Sequence, residues 1–125
     1  MHVVKFETLE SKLINYKNHL VLIDSDVASL YGVQTREINQ TVANNSDKFP
    51  DGYIIELTKE EKQEVIKKFD HLSKLKYSPH LPKVFTEKGL YMLATIIKSE
   101  VATQTTIEII ETFAKVSRSI KKVKK

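Results

Sequence analysis

The stretch Val21-Leu22-Ile23-Asp24-Ser25-Asp26-Val27-Ala28-Ser29-Leu30-Tyr31-Gly32-Val33, followed by Thr35-Arg36-Glu37-Ile38-Asn39, decides how this chain is read. An apolar run meets two aspartates and a serine, and a short amphipathic segment then ends on a glycine. Ser25 offers an N-cap hydroxyl, and Asp26 places a negative charge in the first turn, where it suits the positive end of the helix dipole. Gly32 is able to take the left-handed conformation that stops a helix. A short helix is therefore predicted between them. Thr35 is the next N-cap candidate, and Ile38, Val42 and Phe49 recur behind it at helical spacing, so a second helix is expected from Arg36 to about Asp47.

Two short helices crossing steeply impose steric demands at fixed separations. The first needs a small residue at the crossing, the turn needs a glycine, and the second needs an apolar residue facing back. Ala28, Gly32 and Ile38 meet these demands at separations of four and six residues, with Val27, Tyr31 and Val33 as apolar flanks. Thr41 fits less well, because that inward position is normally aliphatic, although Val42 beside it fills the space. The pattern is that of a helix-turn-helix.

Counting about 100° per residue from Ile38, Val42 and Phe49 share its side, while Arg36, Gln40 and Ala43 point away and Asn39 and Asn44 flank them. Arg forks onto guanine, and Asn and Gln pair both acceptor and donor of adenine, each good bidentate contact giving about 1–3 kcal/mol of discrimination. Asn is a poor helix former, so Asn39, Asn44 and Asn45 in one helix carry a propensity cost that a merely structural helix need not bear. Asn45, on the inward side, reads as a structural amide serving backbone at the helix end. Arg36, Asn39, Gln40 and Asn44 are thus candidate base readers. The alternative is a solvated polar face on a packing helix, which Asp47 and the net −1 of residues 1–50 favour.

Charge placement bears on the same question. The chain carries a net +4, yet Lys115 to Lys125 holds six basic residues and no acid, so the preceding 114 residues sum to −2. Phosphate attraction, which supplies most non-specific affinity, must come from Lys48, the lysines between Lys59 and Lys76, and the tail, and the candidate phosphate contacts are Thr35, Lys48 and tail lysines such as Lys121 and Lys122.

Working outward, Leu13–Tyr16 and Leu20–Ile23, separated by Lys17-Asn18-His19, read as a hairpin. Tyr53–Leu57 is strand-like, and Thr58 caps a charged helix that begins with Glu60 and Glu61 and ends in Lys67 and Lys68. Ser73–Pro82 reads as an irregular connection, Lys83–Phe85 as a further strand, and Thr86 as the cap of a helix through Ile97. The final helix, from about Val101 toward Lys121, carries Ala102, Thr106, Ile109, Phe113, Val116, Ile120 and Val123 in a heptad seam. That stripe serves equally as a core face or as the seam of a homodimer. The expected fold is α+β: an N-terminal β-hairpin, a helix-turn-helix, a small antiparallel sheet and two C-terminal helices, in a single domain over 1–125 with a basic helical tail from about residue 115.

Several function classes are excluded. Without cysteine there is no disulfide, thiolate nucleophile or cysteine-ligated zinc, which fits a reducing cytoplasm. No apolar run approaches the roughly 20 residues of a membrane helix, and Met1–Glu10 lacks an apolar signal segment, so a soluble cytoplasmic protein with no membrane partner is expected. Asp24 and Asp26 form a D-x-D that reads as helix capping before metal binding, and His71 and His80, with nothing to complete a tetrahedral set, read as loop histidines. Thr86-Glu87-Lys88-Gly89 reads as a capped helix start, and none of the three glycines forms a phosphate cradle. Tyr31, Tyr53, Tyr77 and Tyr91 read as core or edge aromatics, not stacking platforms. No metal, no cofactor and no enzymatic activity are expected.

Val21–Val33, Thr35–Asn39, Lys48-Phe49-Pro50-Asp51-Gly52-Tyr53, Glu56–Glu61 and Leu81–Leu93 together resemble the ORF6N domain, a relative of the KilA-N and Bro-N domains of phage and large DNA virus proteins. The family tends to carry basic residues where this chain has Ala43 and Asn44, whereas Asn39, Asn45 and Lys48 match. The resemblance implies a sequence-specific module for double-stranded DNA, associated with phage antirepressor or regulatory proteins. The rival expectation is a protein-interaction module in which the terminal seam pairs with another chain and the helix pair is scaffold. A hydrolase using the aspartates and histidines is the remote third.

Overall fold

The computed structural model describes the backbone of residues 6–98 and 100–124, and the side chains of 9–98 and 100–116. The sheet begins with the hairpin of Ile14–Tyr16 (β1) and His19–Ile23 (β2), paired antiparallel with Tyr16 opposite His19. Lys17 and Asn18 between them both take positive φ, 49° and 69°, the conformation of a two-residue turn whose twist matches that of the flanking strands. β2 then pairs antiparallel with Lys83–Thr86 (β4), and β4 with Ile54–Glu56 (β3), so the sheet is ordered β1-β2-β4-β3.

The two central strands are apolar on both faces because the sheet is covered on both sides. Leu22 and Phe85, directly opposed, face one layer formed by Leu9 of Phe6–Lys12 (α1) and by Asp24–Tyr31 (α2), Thr35–Asn44 (α3), Glu87–Ile96 (α5) and Glu100–Lys124 (α6). Val21, Ile23 and Val84 face the other, where Leu57, Val65 of Lys59–Lys68 (α4) and Leu72 of a 3₁₀ helix at Asp70–Tyr77 complete a second core. The class is therefore α+β, with four antiparallel strands and six α-helices among the described residues. No described helix is long and apolar enough to cross a membrane.

Local signals explain most boundaries. Thr58 accepts from the Glu61 N–H at 3.1 Å while the Glu61 carboxylate accepts from the Thr58 N–H at 2.9 Å, a reciprocal capping box. The Thr86 hydroxyl accepts from the Gly89 N–H at 3.3 Å and starts α5. Other expectations need correction. Ser25 is not the cap of α2: the helix begins at Asp24 after an extended Ile23, without a side-chain cap bond. Asp24 and Asp26 do lie in its first turn, so their charges favour the dipole, but both carboxylates bond elsewhere. Thr35 likewise is the first residue of α3 and not its cap; the extended Gln34 precedes it, and the Gln34 carbonyl accepts from Glu37 and Ile38. The helix stops at Asn44, before a 3₁₀ turn at Ser46–Lys48. The segment Ser73–Pro82, expected to be irregular, begins inside the 3₁₀ helix. The N-terminal helix α1 had no counterpart in the expected fold.

The seam of α6 is part of the core. Ala102, Ile109 and Phe113 are buried, and between them the Thr105 hydroxyl donates to the Leu30 carbonyl at 3.1 Å and Thr106 shares a 2.9 Å bond with the Tyr31 hydroxyl. This part of the seam is spent inside the protein's own fold and offers nothing to a second copy. Ile120 and Val123 lie outside the described side chains.

Candidate functional site

The pair α2 and α3 is built as the spacing of its small and apolar residues requires. Gly32 closes α2 with φ 72° and ψ 29°, and its N–H reaches back to the carbonyls of Ala28 and Ser29. The Val33 N–H donates to the Ala28 carbonyl at 2.9 Å. Ala28 and Ile38 are buried where the helices meet, and Val42 and Phe49 pack on the same core. The Thr41 hydroxyl, leaning inward, is satisfied by donating to the Glu37 carbonyl at 2.9 Å. The Asn45 amide donates to the Thr41 carbonyl at 2.8 Å, satisfying backbone at the helix end.

The other side of α3 is open. Arg36, Gln40, Ala43 and Asn44 are exposed, and the Gln40 amide donates to the Asn44 side-chain carbonyl at 2.9 Å, one turn apart. Glu37 is exposed beside them, and Lys48 is exposed at the end of the 3₁₀ turn that follows. Thr35 is half-buried at the start of the helix. Lys121 and Lys122 lie outside the described side chains.

Asn39 occupies a different setting from its neighbours. It is half-buried, and its amide donates to Asp24 Oδ2 at 3.0 Å. That same oxygen accepts from the Lys83 N–H at 3.3 Å and meets His80 Nε2 at 3.0 Å, so the fully buried Asp24 ties α2, α3, β4 and the 70–82 segment together. The remaining oxygens, Asp24 Oδ1 and Asn39 Oδ1, are buried without a protein partner. Two residues on, Asp26 meets His71 Nε2 at 2.9 Å. Burial raises the Asp26 carboxyl above its ordinary range, while His71 and Lys12 pull it back. The D-x-D aspartates and the two histidines thus form a pair of Asp–His links, which sequence reasoning missed: the partners are 45 and 56 residues apart, and no local pattern joins them. No cluster of three or more metal-ligating His, Asp or Glu side chains exists among the described residues.

Between α3 and the 70–82 segment runs an open groove of about 560 Å³, walled by Thr35, Arg36, Asn39 and Gln40 on one side and by Leu75, Ser78 and His80 on the other. Helix α3 and this segment therefore present one continuous surface. The family model of the ORF6N domain matches residues 11–96, which span the chain from the hairpin through α5. The chain belongs to the ORF6N domain family. No curated protein and no solved structure matches it. In this ORF6N domain the matched span contains α2, α3, the Asp24 hub and both walls of the groove, while the core-closing helix α6 lies beyond it.

Proposed function

We propose that this ORF6N domain is a sequence-specific binding module for double-stranded DNA in a phage-type, antirepressor-like regulator, with α2 and α3 as a helix-turn-helix and α3 entering the major groove. The observation that carries the reading is the outer face of α3, where Arg36, Gln40 and Asn44 are exposed in successive turns with Ala43 between them. These side chains are free of the core and bear the donor and acceptor pattern that base edges demand. Within the proposal Arg36 reads guanine, and Gln40 and Asn44, already bonded to each other, present one amide surface to adenine. Thr35, at the start of the helix, and Lys48, at the end of the 3₁₀ turn that follows it, take phosphates. Asn39, engaged by Asp24, serves as the buttress that fixes the rotation of α3 about its axis and not as a free reader. The role is one of binding without catalysis.

Against the rival interaction module, the seam of α6 is buried in the protein's own core at Ala102, Ile109 and Phe113. Selection of bound sequences from a random duplex pool tests the proposal. The parent should enrich a defined sequence, with affinity falling steeply as salt rises at a slope near −0.9 per phosphate contacted. Arg36→Ala should relax the preference at one or two positions. Enrichment of the same sequence by parent and variant, or no enrichment at all, overturns the assignment.

A further inference from the structure

The 3₁₀ segment and the loop that follows it stand out from the body of the domain as a ridge. One flank, with Leu75, Ser78 and His80, walls the groove beside α3; the other, with Lys76, Pro79 and Leu81, walls a second groove of about 250 Å³ whose far side is Lys59, Gln63 and Ile66 of α4. Tyr77 at the crest is 79% exposed, and the Lys76 ammonium sits 5.0 Å from its ring centroid. Tyr77 is thus neither the core nor the edge aromatic that its sequence suggested. Lys74 and Lys76 are both exposed, and no acidic residue occurs between Asp70 and Glu87.

An exposed tyrosine preceded by two lysines has little stabilising work to do for the fold, yet its base is firmly held. Leu72 is buried, and Leu75 packs on the second core. The buried Lys62 ammonium donates to the carbonyls of Ser78 and His80, and His80 and His71 are bonded to Asp24 and Asp26 of α2. The crest is therefore fixed relative to the same helix that carries α3. Firm placement of the backbone that carries these lysines and the tyrosine, across a groove from α3, suits a second contact on a duplex, since less of the chain must then be ordered on binding.

We infer that the ridge from Lys74 to Tyr77 is a second DNA-contacting element, resting on the sugar-phosphate backbone that borders the stretch read by α3, with Lys74 and Lys76 on phosphates and the Tyr77 ring against a deoxyribose. The inference rests on the reading of α3 as the base-reading helix. It accounts for how a face with one arginine, one glutamate and two amides gains affinity: sequence is read on α3, and the attraction to phosphate comes from the other wall of the groove.

The experiment uses the full chain and the duplex enriched by the parent, titrated across a range of salt. Lys74→Ala/Lys76→Ala should weaken binding by one to two orders of magnitude at about 0.1 M salt and flatten the salt slope by roughly 1.8, the release of ions from two phosphates. Tyr77→Ala should weaken binding with the slope unchanged. Both variants should keep the parent's preferred sequence, in contrast to Arg36→Ala. A charge-matched control, Lys17→Ala/Lys88→Ala, should retain the parent slope. If the parent binds its sequence and the ridge variants bind as tightly with the same slope, or the control loses as much as they do, the ridge is not a contact while the α3 assignment stands. If the parent enriches no sequence, the α3 reading fails and the ridge falls with it. Circular dichroism of each variant verifies that the fold is retained.

Discussion

Replacing Gly89 by alanine sets two physical effects of opposite sign against each other. On a helix interior, alanine is favoured over glycine by about 1 kcal/mol, so propensity alone predicts a more stable protein. The packing predicts the reverse. A Cβ on Gly89 falls 2.1 Å from the carbonyl oxygen of Tyr53, where real contacts stay beyond 3.0 Å, so helix and loop must part by about 1 Å. That oxygen accepts from the Thr86 N–H at 3.1 Å and from the Thr86 hydroxyl at 3.0 Å, the hydroxyl being shared with the Gly52 carbonyl at 2.8 Å. Withdrawal strands the Thr86 N–H at the end of a central strand, at a cost of about 1–3 kcal/mol, and overpacking adds roughly 1–3 kcal/mol. Net of the propensity gain, Gly89→Ala should destabilise by roughly 1–5 kcal/mol. With an m-value of about 2 kcal/mol/M for a domain of this size, the urea midpoint should drop by roughly 0.5–2.5 M at constant m. A midpoint equal to or above the parent's refutes the close approach of α5 to the Gly52–Tyr53 turn.

Two further outcomes test the interior and the surface. Asp24→Ala removes the acceptor for Asn39, His80 and the Lys83 N–H at once and should cost roughly 2–4 kcal/mol in urea titrations, whereas Asp24→Asn retains one acceptor oxygen and should cost less; equal losses refute its role as a hydrogen-bond hub. The Glu61 carboxyl is pulled from 4.5 to about 2 by the Tyr16 hydroxyl, the Thr58 N–H and Lys17. A depressed carboxylate contributes its stabilisation above its unfolded pKa and loses it as pH falls through the folded one, so the parent should lose stability relative to Glu61→Gln between about pH 4.5 and 2. Parallel pH profiles for the two proteins count against the Tyr16–Glu61–Lys17 cluster.

What the sequence discloses and what it withholds divide along the range of the interactions. Thr58 and Thr86 were readable as caps because each cap closes on a residue three positions away. Ala28, Gly32 and Ile38 were readable because the steric demand of crossing two helices fixes the separations inside a single short segment. Asp24 looked like a cap for the same reason, since a local role is all that local spacing can propose. Its actual partners, Asn39, His80 and Lys83, come from three other elements. The α6 seam shows the limit in another form: an apolar stripe states that a face will be covered without naming the cover, and here the cover is α1, α2 and α5. Tyr77 is the converse, an aromatic whose exposure depends on a ridge that exists only once the 3₁₀ segment is pinned to α4 and α2.

The placement of charge gives the candidate interface its internal logic. On α3 the exposed Arg36 sits next to the exposed Glu37, with Asp47 beyond, so the proposed reading face draws no duplex by net charge. A weakly charged reading face serves discrimination: a non-cognate sequence leaves the Gln40 and Asn44 amides without their base partners, with no strong phosphate attraction on α3 to mask the loss. On the proposed reading, affinity from the ridge is nearly independent of sequence, and selectivity from α3 nearly independent of salt. The Asp24 hub joins the two walls of the groove and holds them in register. Loosening it should therefore blur the preferred sequence before it changes the salt slope, because the slope counts phosphates while the preference depends on how α3 is turned toward the bases.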